Sequence, residues 1–276
     1  MNDFAVFILS HKRAGNVVTL QTLKKVRYTG KVFIVVDNED TMLSEYKRIY
    51  DKQVIVFCKE EWKNKTDTMT NEKDFNSPVF ARNFISWYAT EKGYKHYLML
   101  DDDIKTFNIR YPKDGKLKSK PLKNANVYFD YLIKLLDTNK NIMCVGTGNG
   151  GSYIGGISGK YSKGLHIGDF SQVALFKDRH EFKGAFNEDA NISLIEGQKG
   201  NVTIVDLNIS HSSPKRKSNS GGLKEDYDSS NDYCINMFSV ICSPSCCSIS
   251  VGKKGVSLKI KRNFYNPKIL SERYKK

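Results

Sequence analysis

Uninterrupted apolar runs alternate with amphipathic stretches along the first hundred residues. Phe4-Ala5-Val6-Phe7-Ile8-Leu9 contains no polar position and stops at Ser10-His11-Lys12-Arg13-Ala14-Gly15. A run of that length, apolar on both faces, predicts a strand buried inside a parallel sheet. Lys31-Val32-Phe33-Ile34-Val35-Val36 repeats the pattern and ends at Asp37, and Val54-Ile55-Val56-Phe57 and Tyr97-Leu98-Met99-Leu100 repeat it again. Between these runs, Thr19–Val26 and Thr41–Tyr50 read as helices. A third helix is expected from Ser77-Pro78 through Arg82, Ile85, Trp87 and Tyr88. Strand alternating with helix predicts a parallel sheet with right-handed crossovers, the plan of a nucleotide-binding α/β half.

Further on the pattern loosens. Residues 59–76 and 110–124 are polar and read as surface loops; the second holds six lysines or arginines. Asn126–Leu136 reads as a helix and Ile142–Val145 as a strand. Gly146–Gly168 is a glycine-rich loop without the G-x-x-x-x-G-K-[ST] signature of a phosphate loop. Val173–Phe176 is a strand, Glu188-Asp189 opens a helix, and Val202–Ser210 is a strand running into His211. A helix-like segment near Tyr233–Met237 lies in a basic, serine-rich tail. The expected organisation is one α/β domain over residues 1–212, with a nucleotide half to about residue 105 and an acceptor half after it. Residues 213–276 form a basic C-terminal extension.

Composition narrows the class. A chain of 276 residues with 39% apolar content buries a large core and is not disordered. Apolar runs stay well short of a bilayer-spanning length, and the first residues lack the basic start of a signal peptide. A cytoplasmic, membrane-free protein is therefore expected, and a monomer is the expected state without a sequence feature behind it. The 44 Lys+Arg against 30 Asp+Glu leave a net charge of +14, which suits a polyanionic partner such as nucleic acid and also suits a Lys-rich solvated surface. The six cysteines fit no paired zinc spacing, so free thiols are expected, with Cys58 and Cys144 as small core residues.

The residues with the most chemistry follow the fourth apolar run. Asp101-Asp102-Asp103 places three carboxylates at the carboxyl end of a strand, where ligands of open α/β sheets bind. Crowded carboxylates repel unless a cation or hydrogen-bond donors compensate. Mg²⁺ or Mn²⁺ carrying a diphosphate would do so, and a helix cap or acidic turn is the plainer reading.

Four motifs fall in order: Ser10-His11-Lys12-Arg13, Asp37, Ala81-Arg82-Asn83 ahead of the Asp triplet, and Phe186-Asn187-Glu188-Asp189 upstream of His211. In this order the chain resembles the GT-A nucleotide-sugar glycosyltransferases, and most closely the TET-associated glycosyltransferases of bacteriophages, which act on hydroxymethylpyrimidines in DNA. The resemblance implies a metal-dependent, inverting sugar transfer from a UDP-sugar to modified double-stranded DNA in the infected host's cytoplasm. It implies that Asp101 and Asp102, with Ser10, Arg13, Asp37, Arg82 and Asn83, serve the nucleotide sugar, and that Asp103 and His211 hold Mn²⁺ or Mg²⁺. Asp189 is then the general base, with Glu188 as its alternate or as a positioning residue; at a helix start both acids also suit the dipole. Arg82 and Asn83 equally suit bracing the Asp loop, and Asp169 equally suits the acceptor pocket or a turn.

Lys113, Lys116 and Lys118, with Lys215, Arg216 and Lys217, are the candidate DNA contacts; a third basic stretch spans 252–262. Tyr111, Tyr153, Tyr161 and Tyr265 are candidate stacking partners for bases. Two alternatives remain open at this stage: the same enzyme class with a polysaccharide, lipid or protein acceptor, and a non-enzymatic nucleic-acid-binding module on a transferase-like fold.

Overall fold

The computed structural model describes residues 3–71, 76–114, 116–149, 165–167, 170–214, 231–252 and 255–261. The first four apolar runs are strands β1 (Phe4–Leu9), β2 (Lys31–Asp37), β3 (Val54–Phe57) and β4 (His96–Asp101). They lie parallel in the order β3-β2-β1-β4. Every residue of β1 is buried, because helices cover both faces of the sheet. Phe4, Val6 and Ile8 meet Leu20 and Leu23 of α1 (Val18–Lys25), Tyr46 of α2 (Leu43–Tyr50), and Phe129 and Leu132 of α5 (Ala125–Asp137). Ala5, Phe7 and Leu9 meet the opposite layer, built from Trp62 of α3 (Lys59–Lys65) and Phe80, Phe84 and Ile85 of α4 (Pro78–Glu91). Ser77 caps α4 by accepting from the Val79 amide, with Pro78 at the first helical position.

The second half completes a ten-stranded mixed sheet. β9 (Val173–Lys177) inserts antiparallel between β4 and β7 (Ile142–Gly148), and β10 (Val202–Ser212) lies parallel to β7. A short β8 (Leu165–Ile167) pairs with β10. With β9 reversed, β4, β7 and β10 run the same way, so the carboxyl ends of β1, β2, β4, β7 and β10 share one edge. Gly146 allows the close approach of β7 to β9: a Cβ there would sit 2.9 Å from the Val173 carbonyl oxygen and 3.0 Å from Phe170 Cβ. α6 (Glu188–Gln198) precedes β10, while α7 (Asp232–Cys242) and the hairpin of β11 (Cys247–Gly252) and β12 (Gly255–Ile260) follow it.

Three expectations need correction. Residues 59–65 form helix α3, because Trp62 buries its ring against Phe84 and Trp87 and anchors an otherwise charged segment. The basic stretch after residue 105 is an antiparallel hairpin, β5 (Thr106–Lys113) with β6 (Lys116–Pro121), closing the far edge of the sheet. Cys58 is exposed, since it stands past the end of β3, whereas Cys144 is buried within β7; the six cysteines are free thiols. Asp169, Tyr153, Tyr161, Tyr265, Lys215, Arg216 and Lys217 lie outside the described residues.

Candidate active site

Each piece of the site hangs from a strand end on the shared edge. Ser10 follows β1, and its hydroxyl donates to Asp102 Oδ2 at 2.6 Å and meets the Tyr46 hydroxyl, also at 2.6 Å. Arg13 Nη1 donates to Asp102 Oδ1 at 2.5 Å, and the Arg13 amide donates to the Tyr46 hydroxyl at 2.9 Å. The middle aspartate therefore points back into the β1–α1 connection, and both of its oxygens are engaged there. Thr19 locks the turn from behind: its hydroxyl donates to the Asp101 carbonyl and accepts from the Ile104 amide, and its own amide donates to the Asp102 carbonyl. Burial raises the Asp102 pKa, against the lowering contributions of Arg13 and Ser10.

Asp101 and Asp103 flank that anchor. Arg82, 3% exposed, reaches from α4 to bridge two carboxylates: Nη2 lies 3.3 Å from Asp101 Oδ1, and Nε donates to Glu188 Oε1 at 3.0 Å. Phe170 and Phe182 pack their rings against the guanidinium. Burial opposes the Arg82 charge, but Asp101, Glu188 and Asp189 outweigh it and raise the pKa. Asp101 is pushed up to about 7 by desolvation; Arg82 works the other way, and the nearby carboxylates Asp103, Asp102 and Asp189 add to the rise. Asp103 Oδ1 accepts from Gln172 Nε2 at 3.1 Å, and Oδ2 lies 3.7 Å from Arg13 Nη1.

Glu188 and Asp189 are the first residues of α6, after Asn187 in the left-handed conformation. Glu188 is buried on Arg82, whereas Asp189 is partly exposed and accepts from the Ala190 amide at 2.8 Å. Adjacent helix positions point in different directions, so the acidic pair splits into an inward carboxylate and a partly exposed one. Asn83 braces: its amide donates to the Phe182 carbonyl at 2.9 Å and accepts from the Phe182 amide at 2.7 Å, fixing the segment that leads into Glu188.

His211 is 2% exposed in β10. Its Nδ1 lies 2.6 Å from the Thr147 hydroxyl and its Nε2 lies 3.3 Å from that of Ser171. Burial lowers its pKa to about 4, so the ring is neutral at pH 7. At the end of β2, Asp37 and Asp40 close on His11, whose Nδ1 is 3.0 Å from Asp37 Oδ2 and 3.4 Å from Asp40 Oδ2. Burial would raise the Asp37 pKa, but the His11 contact and Lys59 bring it below the usual value. His11, Asp37 and Asp40 are also the three-residue group whose ligand atoms lie within 4.8 Å of one another among the described residues; Asp103 and His211 do not join such a trio.

Ser10, Arg13, Arg82, Asp101, Asp102, Asp103, Glu188 and Asp189 are linked through these contacts and charges. Asn83 stands behind them, and Asp37 borders the cluster through His11. Lys113, Lys116 and Lys118 sit away on the β5–β6 hairpin. Residues that the sequence reading overlooked are His11, Asp40, Tyr46, Thr147 and Gln172. His11 and Asp40 had a signal, lying beside Ser10 and Asp37; Tyr46, Thr147 and Gln172 are ordinary members of a helix, a strand and a strand approach.

An acidic strand-end edge with a buried arginine behind it, on an open α/β sheet, defines a ligand-binding site of the type seen in nucleotide-dependent α/β enzymes. Residues 4–222 match the profile of the TET-Associated Glycosyltransferase family, and the chain belongs to that family. Its sheet is the α/β fold expected of that family. No curated protein matches it. Among solved structures, mannosyltransferase PcManGT from Pyrobaculum calidifontis, in complex with GDP-Man and Mn²⁺, is similar at 15% identity with a TM-score of 0.49; the match covers 78% of this chain and 58% of that one. Glucosyl-3-phosphoglycerate synthase from Mycobacterium tuberculosis, with Mg²⁺ and UDP, is similar at 7% identity with a TM-score of 0.46, covering 93% and 86%. GalNAc-T7, with UDP, GalNAc and Mn²⁺, is similar at 11% identity with a TM-score of 0.44, covering 76% and 43%. The chain thus spans under two thirds of the mannosyltransferase and of GalNAc-T7.

Proposed function

We propose that this protein is a metal-dependent, inverting glycosyltransferase that moves a sugar from a nucleoside diphosphate, UDP by preference, to the hydroxymethyl group of a modified pyrimidine in DNA. The observation that carries the proposal is the convergence of Asp101, Glu188 and Asp189 on one buried arginine at the carboxyl edge of the sheet, with Asp103 beside Asp101. Family membership supports sugar transfer and, through the family's name, a link to DNA-base modification.

The donor set fits a hard divalent cation. Asp101 is pushed up to about 7 because desolvation and its neighbours leave negative charge undercompensated there, which is the condition a cation relieves. Asp103 and Asp101 offer carboxylate oxygens of the kind Mn²⁺ and Mg²⁺ prefer. His211 is neutral and so retains a lone pair; in the tautomer whose Nδ1–H donates to the Thr147 hydroxyl, Nε2 would be the atom that holds the ion. A bound ion would neutralise charge on the departing diphosphate.

The chain's own residues do the rest. Asp102, held by Ser10 and Arg13, fixes the turn that presents its two neighbours. Asp37, with His11, borders the same edge and serves the nucleoside end of the donor. Arg82 holds Glu188 and thereby the start of α6. Asp189, outward of that ion pair, takes the proton from the acceptor hydroxyl. The hydroxyl oxygen bonds to the anomeric carbon as the bond from that carbon to the diphosphate oxygen breaks. One base on the face opposite the leaving group gives inversion.

The test is incubation with a panel of UDP-sugars, Mn²⁺ and DNA containing hydroxymethylcytosine or hydroxymethyluracil, read by nucleoside mass spectrometry. A hexose-sized gain that Asp189→Asn abolishes is the expected result. Transfer to a glycan, with no gain on either DNA, would overturn the acceptor assignment.

A further inference from the structure

Basic residues are spread along the chain, but the sheet edge sorts one group of them. In the β5–β6 hairpin Lys113 stands opposite Lys116, Tyr111 opposite Lys118, and Ile109 opposite Lys120. Directly opposed residues share a face, so Lys113, Lys118, Lys120 and Tyr111 lie on one side of the hairpin, together with Ile109, which packs on the core at the hairpin's base. The other side is committed to the protein: Arg110 Nε donates to Ser210 Oγ at 3.0 Å, and Leu117 packs on Val205 and Leu207. Lys113, Lys118 and Lys120 are exposed, and among the described residues no carboxylate pairs with them. Lys120 Nζ instead lies 5.4 Å from the centre of the Tyr111 ring.

Like charges set across a strand pair destabilise it. Lysines on an edge strand also discourage unwanted strand pairing, which accounts for β6. That role extends to Lys113, which lies past the pairing of β5 with β10 at residues 106–109, but it does not account for the aromatic ring set among the ammonium groups. Alternate residues of a strand recur about every 7 Å. Duplex DNA carries one phosphate charge about every 1.7 Å of helix axis, so ammonium groups at the strand's spacing face a continuous run of phosphates.

We propose that the lysine face of the β5–β6 hairpin docks the phosphate backbone of the duplex acceptor. The proposal rests on the DNA-acceptor reading above and gives it a surface. Its placement serves the reaction: β5 begins just after Asp103, and the Lys105 amide donates to the Ser212 carbonyl at 2.7 Å, so the hairpin springs from the catalytic edge. A duplex held along it runs beside the Asp cluster, where a flipped base is presented to Asp189. The lysines meet phosphate and position the duplex without reading its sequence.

The experiment compares the full-length protein with Lys113→Gln/Lys118→Gln/Lys120→Gln and with a control triple, Lys24→Gln/Lys25→Gln/Lys47→Gln, drawn from exposed lysines of α1 and α2. Affinity for a short duplex is measured across a salt series, and Mn²⁺-supported UDP binding is measured in parallel. The hairpin triple is expected to flatten the slope of log affinity against log salt by about 2–3, or about 0.9 for each phosphate no longer neutralised, with UDP binding retained. The control triple is expected to leave the slope in place. If the wild type binds duplex and the hairpin triple keeps its full slope, the docking surface is overturned while the DNA acceptor stands. If the wild type binds no duplex even at low salt and transfers sugar to another acceptor, both fall. Preference for anionic phosphatidylserine vesicles over duplex, abolished in the hairpin triple, overturns the docking proposal in favour of a membrane surface.

Discussion

At the scale of single residues, Arg82 holds the site together. Its guanidinium bridges Asp101 and Glu188 from a position with 3% exposure, so its removal strands two carboxylates. Breaking a buried pair by deleting one partner costs about 3–5 kcal/mol, so Arg82→Met should lower the urea midpoint by that equivalent; a change under about 1 kcal/mol would contradict the buried bridge. Two other residues give the metal-free protein opposed pH responses. Asp101 is raised from 3.8 to about 7, so its contribution to stability is present in full below pH 4 and is lost as pH rises towards 7. His211 is lowered from 6.5 to about 4, so its contribution is present above pH 6.5 and is lost as pH falls towards 4. In a chelating buffer, Asp101→Asn should therefore make the loss of melting temperature between pH 7 and pH 4 steeper than in the wild type. An unchanged profile would refute the raised carboxyl.

At the scale of elements, α7 clamps the helix that carries the proposed base. Asn187, the turn residue ahead of Glu188, donates from Nδ2 to the Ile235 carbonyl at 3.1 Å, and Phe238 packs its ring on Phe186. Ser239 donates to Asn191 Oδ1 at 2.8 Å, while Asn191 Nδ2 donates to the Lys183 and Phe186 carbonyls. The family match ends at residue 222 and α7 begins at Asp232, so this chain steadies the start of α6 with a helix from beyond the matched region. Ser239→Ala leaves a buried amide oxygen without its donor and should cost about 1–3 kcal/mol in thermal or urea unfolding; a neutral substitution would show the clamp to be slack. The parallel half was legible because each of β1, β2, β3 and β4 is an apolar run that folds locally into one shape. The β5–β6 hairpin was not, because lysines outnumber apolar residues on an edge strand and its pairing is settled by β10. Helix α3 was missed for the same reason: one tryptophan, not a periodic stripe, buries it.

At the scale of the whole molecule, the sheet gathers residues far apart in sequence. Arg13 reaches Asp102 across 89 positions and Arg82 reaches Glu188 across 106. The motif order in the sequence named residues that meet at this edge; the split between inward Glu188 and partly exposed Asp189, and the backward turn of Asp102, needed the three-dimensional arrangement. Among the described residues no helix is long and apolar enough to cross a membrane. Net charge of +14 alongside an acidic strand-end edge separates the molecule into a cation-seeking rim and a surface suited to polyanions. Association with duplex should therefore weaken steeply as salt is raised, whereas binding of the nucleotide should track divalent ion concentration. The most direct measurement is calorimetric titration of UDP into the wild type and into Asp103→Asn, each with Mn²⁺ and with chelator. Tight UDP binding is expected only for the wild type with Mn²⁺, at least tenfold above the other three conditions. Equal UDP affinity with and without Mn²⁺, or full Mn²⁺-supported binding by Asp103→Asn, would contradict it.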